Sequence, residues 1–125
     1  MTDLPPNGRR DDCLALPLID RQGEVQSMAK LYLHVEIDVK PGMRDAFVAK
    51  LHTHATTVRQ EAGCERLEVL VDTVNDERVC KVFVWEIWTS QPAWDAHMSN
   101  AASAAWRPVA QEYVIGESIT VMGAA

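Results

Sequence analysis

Hydrophobic and polar residues alternate from Leu31 to Val39, and this period of two predicts a half-buried β-strand that Pro41-Gly42 ends. From Met43 to Gln60 the apolar residues instead recur every three or four positions, which predicts a helix with one buried face. The residues on that face are Phe47, Leu51, His54, Ala55 and Val58. Gly63 follows the helix and should end it in the left-handed conformation.

Two further strands follow, joined by a turn. Alternating aliphatic residues from Leu67 predict a strand that continues to Val74, and Asn75-Asp76 predicts the turn of a hairpin. The next strand, from Val79 to Trp88, is apolar on both faces. One face carries Val82, Val84, Glu86 and Trp88, and the other carries Phe83, Trp85 and Ile87. A strand covered on one side only would be polar on the other, so both faces of this strand should be covered.

The remaining chain predicts helix and one last strand. Ser90 is a favourable N-cap, so a helix should cover residues 92–100. Residues 101–113 should continue as helix, bent or restarted at Pro108. Glu117 to Met122 predicts a strand. The order is therefore β-α-β-β-α-β.

This order predicts an α+β fold of the ferredoxin-like type. Right-handed crossovers and the short hairpin favour a four-stranded antiparallel sheet with strands one and three in the middle and both helices on one face. The other face would expose a large apolar patch on a monomer. We therefore expect a homodimer in which two sheets pack face to face and enclose a ligand cavity.

Composition narrows the function classes. A chain of 125 residues with 47% hydrophobic and 24% charged residues is typical of one soluble globular domain. The net charge of −6 argues against nucleic acid and anionic membrane surfaces as partners. No apolar run reaches the roughly 18 residues of a membrane span. Three cysteines without a CxxC spacing indicate reduced thiols and favour a cytoplasmic location.

The first part of the chain, residues 1–29, differs from the predicted domain at residues 30–125. Pro5-Pro6-Asn7-Gly8 favours coil, and only Leu14–Ile19 has the apolar character to pack. The segment is either an extension without a structural role, or it adds an edge strand or an arm across a partner. In the first case deletion of residues 1–27 should leave the fold and dimer nearly intact, and in the second the melting temperature should fall.

Four short motifs, in their order and spacing, resemble the antibiotic biosynthesis monooxygenase domain. They are Lys40-Pro41-Gly42, Glu61-Ala62-Gly63-Cys64, Glu86-Ile87-Trp88 and Trp94-Asp95-Ala96-His97. The resemblance covers about residues 30–122. It implies a dimeric α+β barrel and, as in quinol monooxygenases and polyketide-oxidising enzymes, oxygenation without a cofactor. The same fold hosts other chemistries, including isomerisation, so the activity depends on the pocket.

The sequence departs from this family at two places. Members often carry a second histidine five residues after the helix histidine, where this chain has Ala102. The haem-degrading branch has an asparagine in the first strand, and Leu31–Val39 contains none. Haem degradation is therefore set aside.

Glu86 and His97 are the predicted catalytic residues. Oxygenation without metal or flavin needs a base that forms an electron-rich substrate anion, together with a dry cavity. Burial would raise the pKa of Glu86, which suits a base, although an interface ion pair with Arg66 or Arg107 would also explain this residue. His97 matches the helix histidine of the family, which favours a role in the cavity. The alternative for His97 is a structural role.

Five more residues are predicted to bind the substrate: Trp88, Trp94, His54, His34 and Tyr32. We expect Trp88 to line the cavity and Trp85 to lie under the helices, since they point to opposite faces. His54 also fits a core histidine bonded to the backbone. Tyr32 and His34 would face the cavity or the interface of the dimer.

No metal or nucleotide cofactor is predicted. The sequence has no HxH pair on a strand, no HxxxH pair on a helix and no glycine-rich phosphate loop. Two functions remain: a cofactor-independent monooxygenase for a quinol-type or polyketide-type aromatic, and a non-oxidative binding protein or isomerase using the same cavity. Convergence of Glu86 and His97 on one dry cavity would favour catalysis.

Overall fold

The computed structural model describes residues 29–125. The strands are β1 (Leu31–Val39), β2 (Cys64–Leu70), β3 (Lys81–Trp88) and β4 (Val114–Met122). The α-helices are α1 (Arg44–Val58), α2 (Gln91–Ser99) and α3 (Ala101–Gln111), and a short 3-10 helix, Asp76–Arg78, lies between β2 and β3. The predicted arm at Leu14–Ile19 lies outside the described residues. No helix within 29–125 is both long enough and apolar enough to cross a membrane.

The four strands form one antiparallel sheet in the order β2-β3-β1-β4, which confirms the ferredoxin-like α+β fold and the central position of strands one and three. The pairing of β1 with β3 sets Leu33 opposite Glu86 and Val35 opposite Val84. These four residues consequently share one face of the sheet.

That face forms the core together with α1. The side chains of β1 and β3 that pack there are Leu33, Val35, Ile37, Val39, Val82, Val84 and Trp88. The buried side of α1 carries Phe47, Leu51, Ala55 and Val58, as its period of three and four predicted. Trp88 is completely buried, at 0% exposure.

The face of β3 that lies under the helices is the opposite of the one predicted. Trp88 and Glu86 point toward the helices, whereas Trp85 lies on the other face and contacts Tyr32 at 6.4 Å between ring centroids. On the same outer face His34 stacks on Phe83 at 5.8 Å. Both faces of β3 are apolar, so alternation alone did not distinguish them. Whether a second subunit covers the outer face stays a prediction.

The connection between β2 and β3 is longer than a tight hairpin. β2 ends at Leu70 instead of Val74. The carboxylate of Asp72 accepts hydrogen bonds from the backbone N–H groups of Val74 (2.8 Å) and Asn75 (3.0 Å) and from the Asn75 side chain. These bonds lower the pKa of Asp72 to about 2 and turn the chain before the predicted position.

The helical segment after β3 breaks at Asn100 and not at Pro108. Asn100 has an extended backbone with ψ 173°, and its side chain accepts the Ser103 N–H at 2.8 Å, so it ends α2 and caps α3. Pro108 lies inside α3. The predicted N-cap at Ser90 is confirmed by a 3.3 Å bond from the Ala93 N–H to its hydroxyl.

Candidate functional site

A cavity of about 390 Å³ lies between the helices and the inner face of the sheet, within a single chain. Its size falls in the range of small-molecule sites, roughly 300–1,000 Å³. Its apolar walls include Leu33, Val35, Val84, Phe47, Leu51 and Ala110. The cavity predicted between two packed sheets stays a prediction; this one lies inside one subunit, on the face of β3 that the helices cover.

Glu86 lines this cavity from the middle of β3. Its Oε1 accepts a 2.8 Å hydrogen bond from the indole Nε1 of Trp88. Burial raises the pKa of Glu86, and the Trp88 hydrogen bond and the nearby His97 oppose that shift only in part. The carboxyl therefore keeps its proton to a higher pH than an exposed glutamate does.

The arginines proposed as partners of Glu86 are engaged elsewhere in the described chain. Arg66 pairs with Glu68 on the outer face of β2. Arg107 donates to the backbone carbonyl of Met98 at 2.5 Å, although its side chain also lines the cavity. Within residues 29–125 Glu86 thus has a hydrogen-bond donor but no cationic partner.

His97 lines the cavity from α2 and makes two well-defined contacts. Its Nδ1 lies 2.8 Å from Oε1 of Glu61, and both side chains are little exposed, at 11% and 16%. Its ring stacks on Trp88 with 4.8 Å between centroids. The stacking on Trp88 fixes the orientation of the ring plane, and the contact with Glu61 fixes the position of Nδ1.

Glu61 is the functional candidate that the sequence alone did not assign. It lies in the turn after α1, in the motif that supported the family resemblance. The pairing of Cys64 with Trp88 and the 2.9 Å bond from the Thr89 N–H to the Gly63 carbonyl place this turn beside the start of α2. The one signal in the sequence was that Glu61 and His97 both belong to motifs that carried the family resemblance.

A second aromatic contact, between His54 and Trp106, forms another part of the cavity wall. The two rings stack in parallel, with centroids 4.6 Å apart and planes 3° apart. Burial lowers the pKa of His54, and the neighbouring His97 lowers it further by a smaller amount. The imidazole therefore stays neutral to a lower pH than an exposed histidine, and it makes no hydrogen bond to the backbone in the described structure. Trp106 lines the cavity as well as packing in the core.

The structure brings together Glu86, His97, Trp94 and His54 of the predicted site residues. Trp88 lies behind Glu86 and His97 and does not line the cavity, contrary to the prediction. Tyr32 and His34 point to the outer face of the sheet, the face predicted to pack against a second subunit, and their contact with a ligand there stays a prediction. They could contact a ligand only on that outer face.

Ser103 is a further cavity residue that the sequence did not indicate. It is the one buried polar residue of the described chain, at 7% exposure, and its hydroxyl donates to the His97 carbonyl at 2.5 Å. It follows Ala102, the position where relatives often have histidine. Among residues 29–125, no three histidine, cysteine, aspartate or glutamate side chains are grouped so that they could hold a metal ion.

Comparison with known proteins agrees with this fold. The family model of antibiotic biosynthesis monooxygenases matches residues 31–109. No curated protein sequence matches the chain. A protein structure from Shewanella oneidensis superimposes with a TM-score of 0.68 at 22% identity, covering 78% of this chain and 92% of that one.

Two other structures show the same likeness. A conserved Methanosarcina mazei protein has a TM-score of 0.70 at 18% identity and covers 82% of this chain and 100% of its own. A Nitrosomonas europaea protein, named a candidate antibiotic biosynthesis monooxygenase, has a TM-score of 0.69 at 16% identity, covering 77% and 90%. At these identities the likeness shows the fold alone.

Proposed function

Because the family model matches most of its length, the chain belongs to the antibiotic biosynthesis monooxygenase family, and we propose that it is a cofactor-independent monooxygenase. Its substrate would be a small, flat, ionisable aromatic of the quinol or polyketide type. The observation that carries this proposal is the convergence of Glu86 and His97 on one largely apolar cavity of suitable size.

The proposed reaction uses the substrate itself as the source of electrons. A base removes a proton from an acidic C–H or O–H group, and the resulting anion transfers an electron to O2. The two radicals combine into a peroxide anion at a ring carbon that bears a hydrogen, and this anion takes back the removed proton to become a hydroperoxide. The O–O bond then breaks as the ring carbon loses its hydrogen, which leaves a carbonyl and releases water. One oxygen atom thus enters the product, and the other leaves as water with the returned proton and the hydrogen from the ring carbon.

The described residues can support these steps. His97 and Glu86 supply a base and a proton donor at the cavity wall. Aromatic side chains such as Trp94 and Trp106 offer surfaces for a flat substrate, and the aliphatic walls exclude water that would stabilise the anion. A deprotonated aromatic is then a stronger electron donor than it is in water.

A second function, isomerisation without O2, is favoured by one particular observation. Glu86, whose pKa is raised, and His54, whose pKa is lowered, line the same cavity. These shifts widen the pH range in which the carboxyl is protonated and the imidazole is neutral, and such an acid–base pair is what proton transfer between two substrate atoms needs. The same cavity would serve a binding protein if neither group reacts.

Oxygen consumption by the purified protein distinguishes these functions. A panel of quinols and anthrones is tested with a chelator present and without added flavin, and ¹⁸O₂ is used to follow the oxygen atoms. We expect consumption of O2 with one labelled oxygen in the product and one in water. Binding or rearrangement of these compounds without O2 consumption would instead support the alternative.

Replacing either of two alanines on α3 by phenylalanine tests whether the activity depends on the cavity. Ala110 lines the cavity, whereas Ala104 is exposed on the same helix. Ala110→Phe should fill part of the space and raise KM or abolish turnover, and Ala104→Phe should leave turnover unchanged. Equal activity of the two variants would place the reaction outside this cavity.

A further inference from the structure

We infer that Glu61 is a positioning residue for the proposed reaction: it holds His97 with its proton on Nδ1, so that Nε2 is the base. This inference rests on the proposed function, since it assigns the proton-removing atom of that reaction. It also separates the roles of the two cavity residues, with His97 accepting the substrate proton and Glu86 acting as a hydrogen-bond donor.

The tautomer follows from the contact between the two side chains. With Glu61 as a carboxylate, whose oxygens only accept hydrogen bonds, the 2.8 Å contact between Glu61 Oε1 and His97 Nδ1 places the proton on Nδ1. A neutral imidazole has one N–H, and Nε2 is then left as an acceptor. In the described residues Nε2 makes no hydrogen bond, and the His97 side chain lines the cavity.

Two further contacts hold the ring against reorientation. Trp88 stacks on the imidazole plane at 4.8 Å between centroids. The Ser103 hydroxyl donates to the backbone carbonyl of His97 at 2.5 Å and so links the end of α2 to α3. The imidazole is thus held at its face and at Nδ1, and the His97 backbone is held by Ser103, while Nε2 has no partner among residues 29–125.

A purely structural role for Glu61 explains the geometry less well. Its second carboxylate oxygen, Oε2, is buried without a hydrogen-bond partner among the described residues. A buried acceptor without a partner destabilises the folded state, and an apolar residue would fill the same position without that cost. A carboxylate at this place is therefore better explained by what it does to His97 than by stability.

The environment of Glu86 fits the complementary role. Burial raises the pKa of Glu86, and because the Trp88 indole donates to Oε1, the free oxygen Oε2 is the one that would carry the proton of the neutral form. A neutral carboxyl can donate a hydrogen bond to a substrate oxygen on which negative charge develops. The substrate should accordingly carry an oxygen atom close to the proton that His97 removes, as a phenol or a hydroxylated ketone does.

The tautomer of His97 can be measured directly by ¹⁵N NMR of the histidine rings. His97→Asn identifies its signals among the four histidines of the chain. In the wild type we expect a protonated Nδ1 and an unprotonated Nε2 at neutral pH. Glu61→Gln keeps an oxygen acceptor and should preserve this pattern, whereas Glu61→Ala should shift the proton to Nε2. Glu77→Ala, at an exposed site on the 3-10 helix, is the control and should change nothing.

A bound phenol tests the base without requiring turnover. β-Hydroxyanthraquinone is a flat phenol that O2 does not oxidise, and its phenolate absorbs at longer wavelength than the phenol. The wild type should bind it largely as the phenolate, and Glu61→Ala largely as the phenol. With an oxidisable substrate, Glu61→Ala should reduce kcat by about 10²-fold, the lower end of general-base effects, with a smaller change in KM.

The outcomes separate this inference from the proposed function. The positioning role of Glu61 is wrong if His97 in the wild type has an unprotonated Nδ1 or a doubly protonated ring. It is also wrong if Glu61→Ala changes the tautomer but leaves both the bound phenolate and kcat unchanged. If the wild type consumes no O2 but loses the bound phenolate on Glu61→Ala, the positioning role holds and the oxygenase proposal fails.

Discussion

The indole Nε1 of Trp88 donates a 2.8 Å hydrogen bond to Oε1 of Glu86, two residues earlier on the same face of β3. Trp88 itself is completely buried and does not reach the cavity. It nevertheless acts on the cavity, because it orients the Glu86 carboxyl on one side and stacks on His97 on the other. One core tryptophan therefore supports both groups of the proposed acid–base pair.

The half-buried Glu86 makes stability depend on pH in a predictable direction. Its pKa is raised above the ordinary 4.5, so the folded chain holds this proton more tightly than the unfolded chain. The contribution to stability is complete below 4.5 and is lost as pH rises through the raised value. Glu86→Gln removes this dependence. The free energy of unfolding of the variant, relative to that of the wild type, should therefore increase from about pH 4 to about pH 7. The increase is about 1.4 kcal/mol for each tenfold difference in the proton affinity of Glu86 between the folded and the unfolded chain.

Urea unfolding at several pH values measures this effect. Glu77→Gln is the control, because Glu77 is exposed on the 3-10 helix and its substitution should give a difference that does not vary with pH. A flat difference for Glu86→Gln as well would mean that Glu86 is not desolvated in solution.

Replacement of the two acid–base residues should lower turnover. A true general base or acid contributes about 10²–10⁴-fold to the rate, so Glu86→Gln and His97→Ala should each reduce kcat by at least the lower figure while the fold persists. His52→Ala is a matched control, since His52 is exposed on α1 and does not line the cavity. Two folded variants with wild-type kcat would show that the chemistry lies elsewhere or that the cavity only binds.

The sheet order could be predicted from the sequence, but the inner face of its central strand could not. Period-two alternation in β1 and the β-α-β-β-α-β order leave few topologies, and handedness selects among them. In β3, by contrast, Trp85 and Trp88 give two faces of similar hydrophobicity. The face under the helices follows from pairing Leu33 with Glu86, which is a tertiary contact.

Part of the site could be predicted for a local reason. Glu86 is the single ionisable residue on its strand face, and His97 lies three residues after Trp94 on a helix; both patterns are visible within a few positions. The partner of His97, Glu61, lies 36 residues away in a turn, and only the folded chain brings them together. Long-range polar pairs of this kind leave no periodic trace in a sequence.

The outer face of the sheet predicts self-association. Tyr32, Phe83, Trp85 and Ile87 lie there half-buried, and no element of residues 29–125 covers them. A homodimer through this face should bury more than roughly 1,000 Å². Light scattering should show a dimer for the wild type and a folded monomer for Trp85→Glu. The control is Val74→Glu, at a loop position that is 83% exposed, and this variant should stay dimeric. A wild type that is monomeric at micromolar concentration would refute the prediction.

Two glycines with similar backbone conformations should respond differently to alanine. Gly42 (φ 79°) and Gly63 (φ 90°) both adopt the left-handed region, where an L-residue costs roughly 1–2 kcal/mol. A Cβ on Gly42 would meet no atom within 4 Å, whereas a Cβ on Gly63 would overlap the Ala93 side chain and lie 2.9 Å from the Thr89 hydroxyl. Gly63→Ala should therefore destabilise the fold by a further 1–3 kcal/mol or so, the usual range for overpacking, as measured by urea unfolding.

The same substitution should also affect the site. Ala93 lies one turn before His97 on α2, so an alanine at residue 63 pushes on the helix that carries the proposed base, and it does so from the turn that carries Glu61. At a temperature where both variants are folded, Gly63→Ala should lower kcat and Gly42→Ala should not. Equal stability losses and equal kcat values for the two variants would mean that the turn after α1 and the start of α2 are not in the tight contact that places Glu61 against His97.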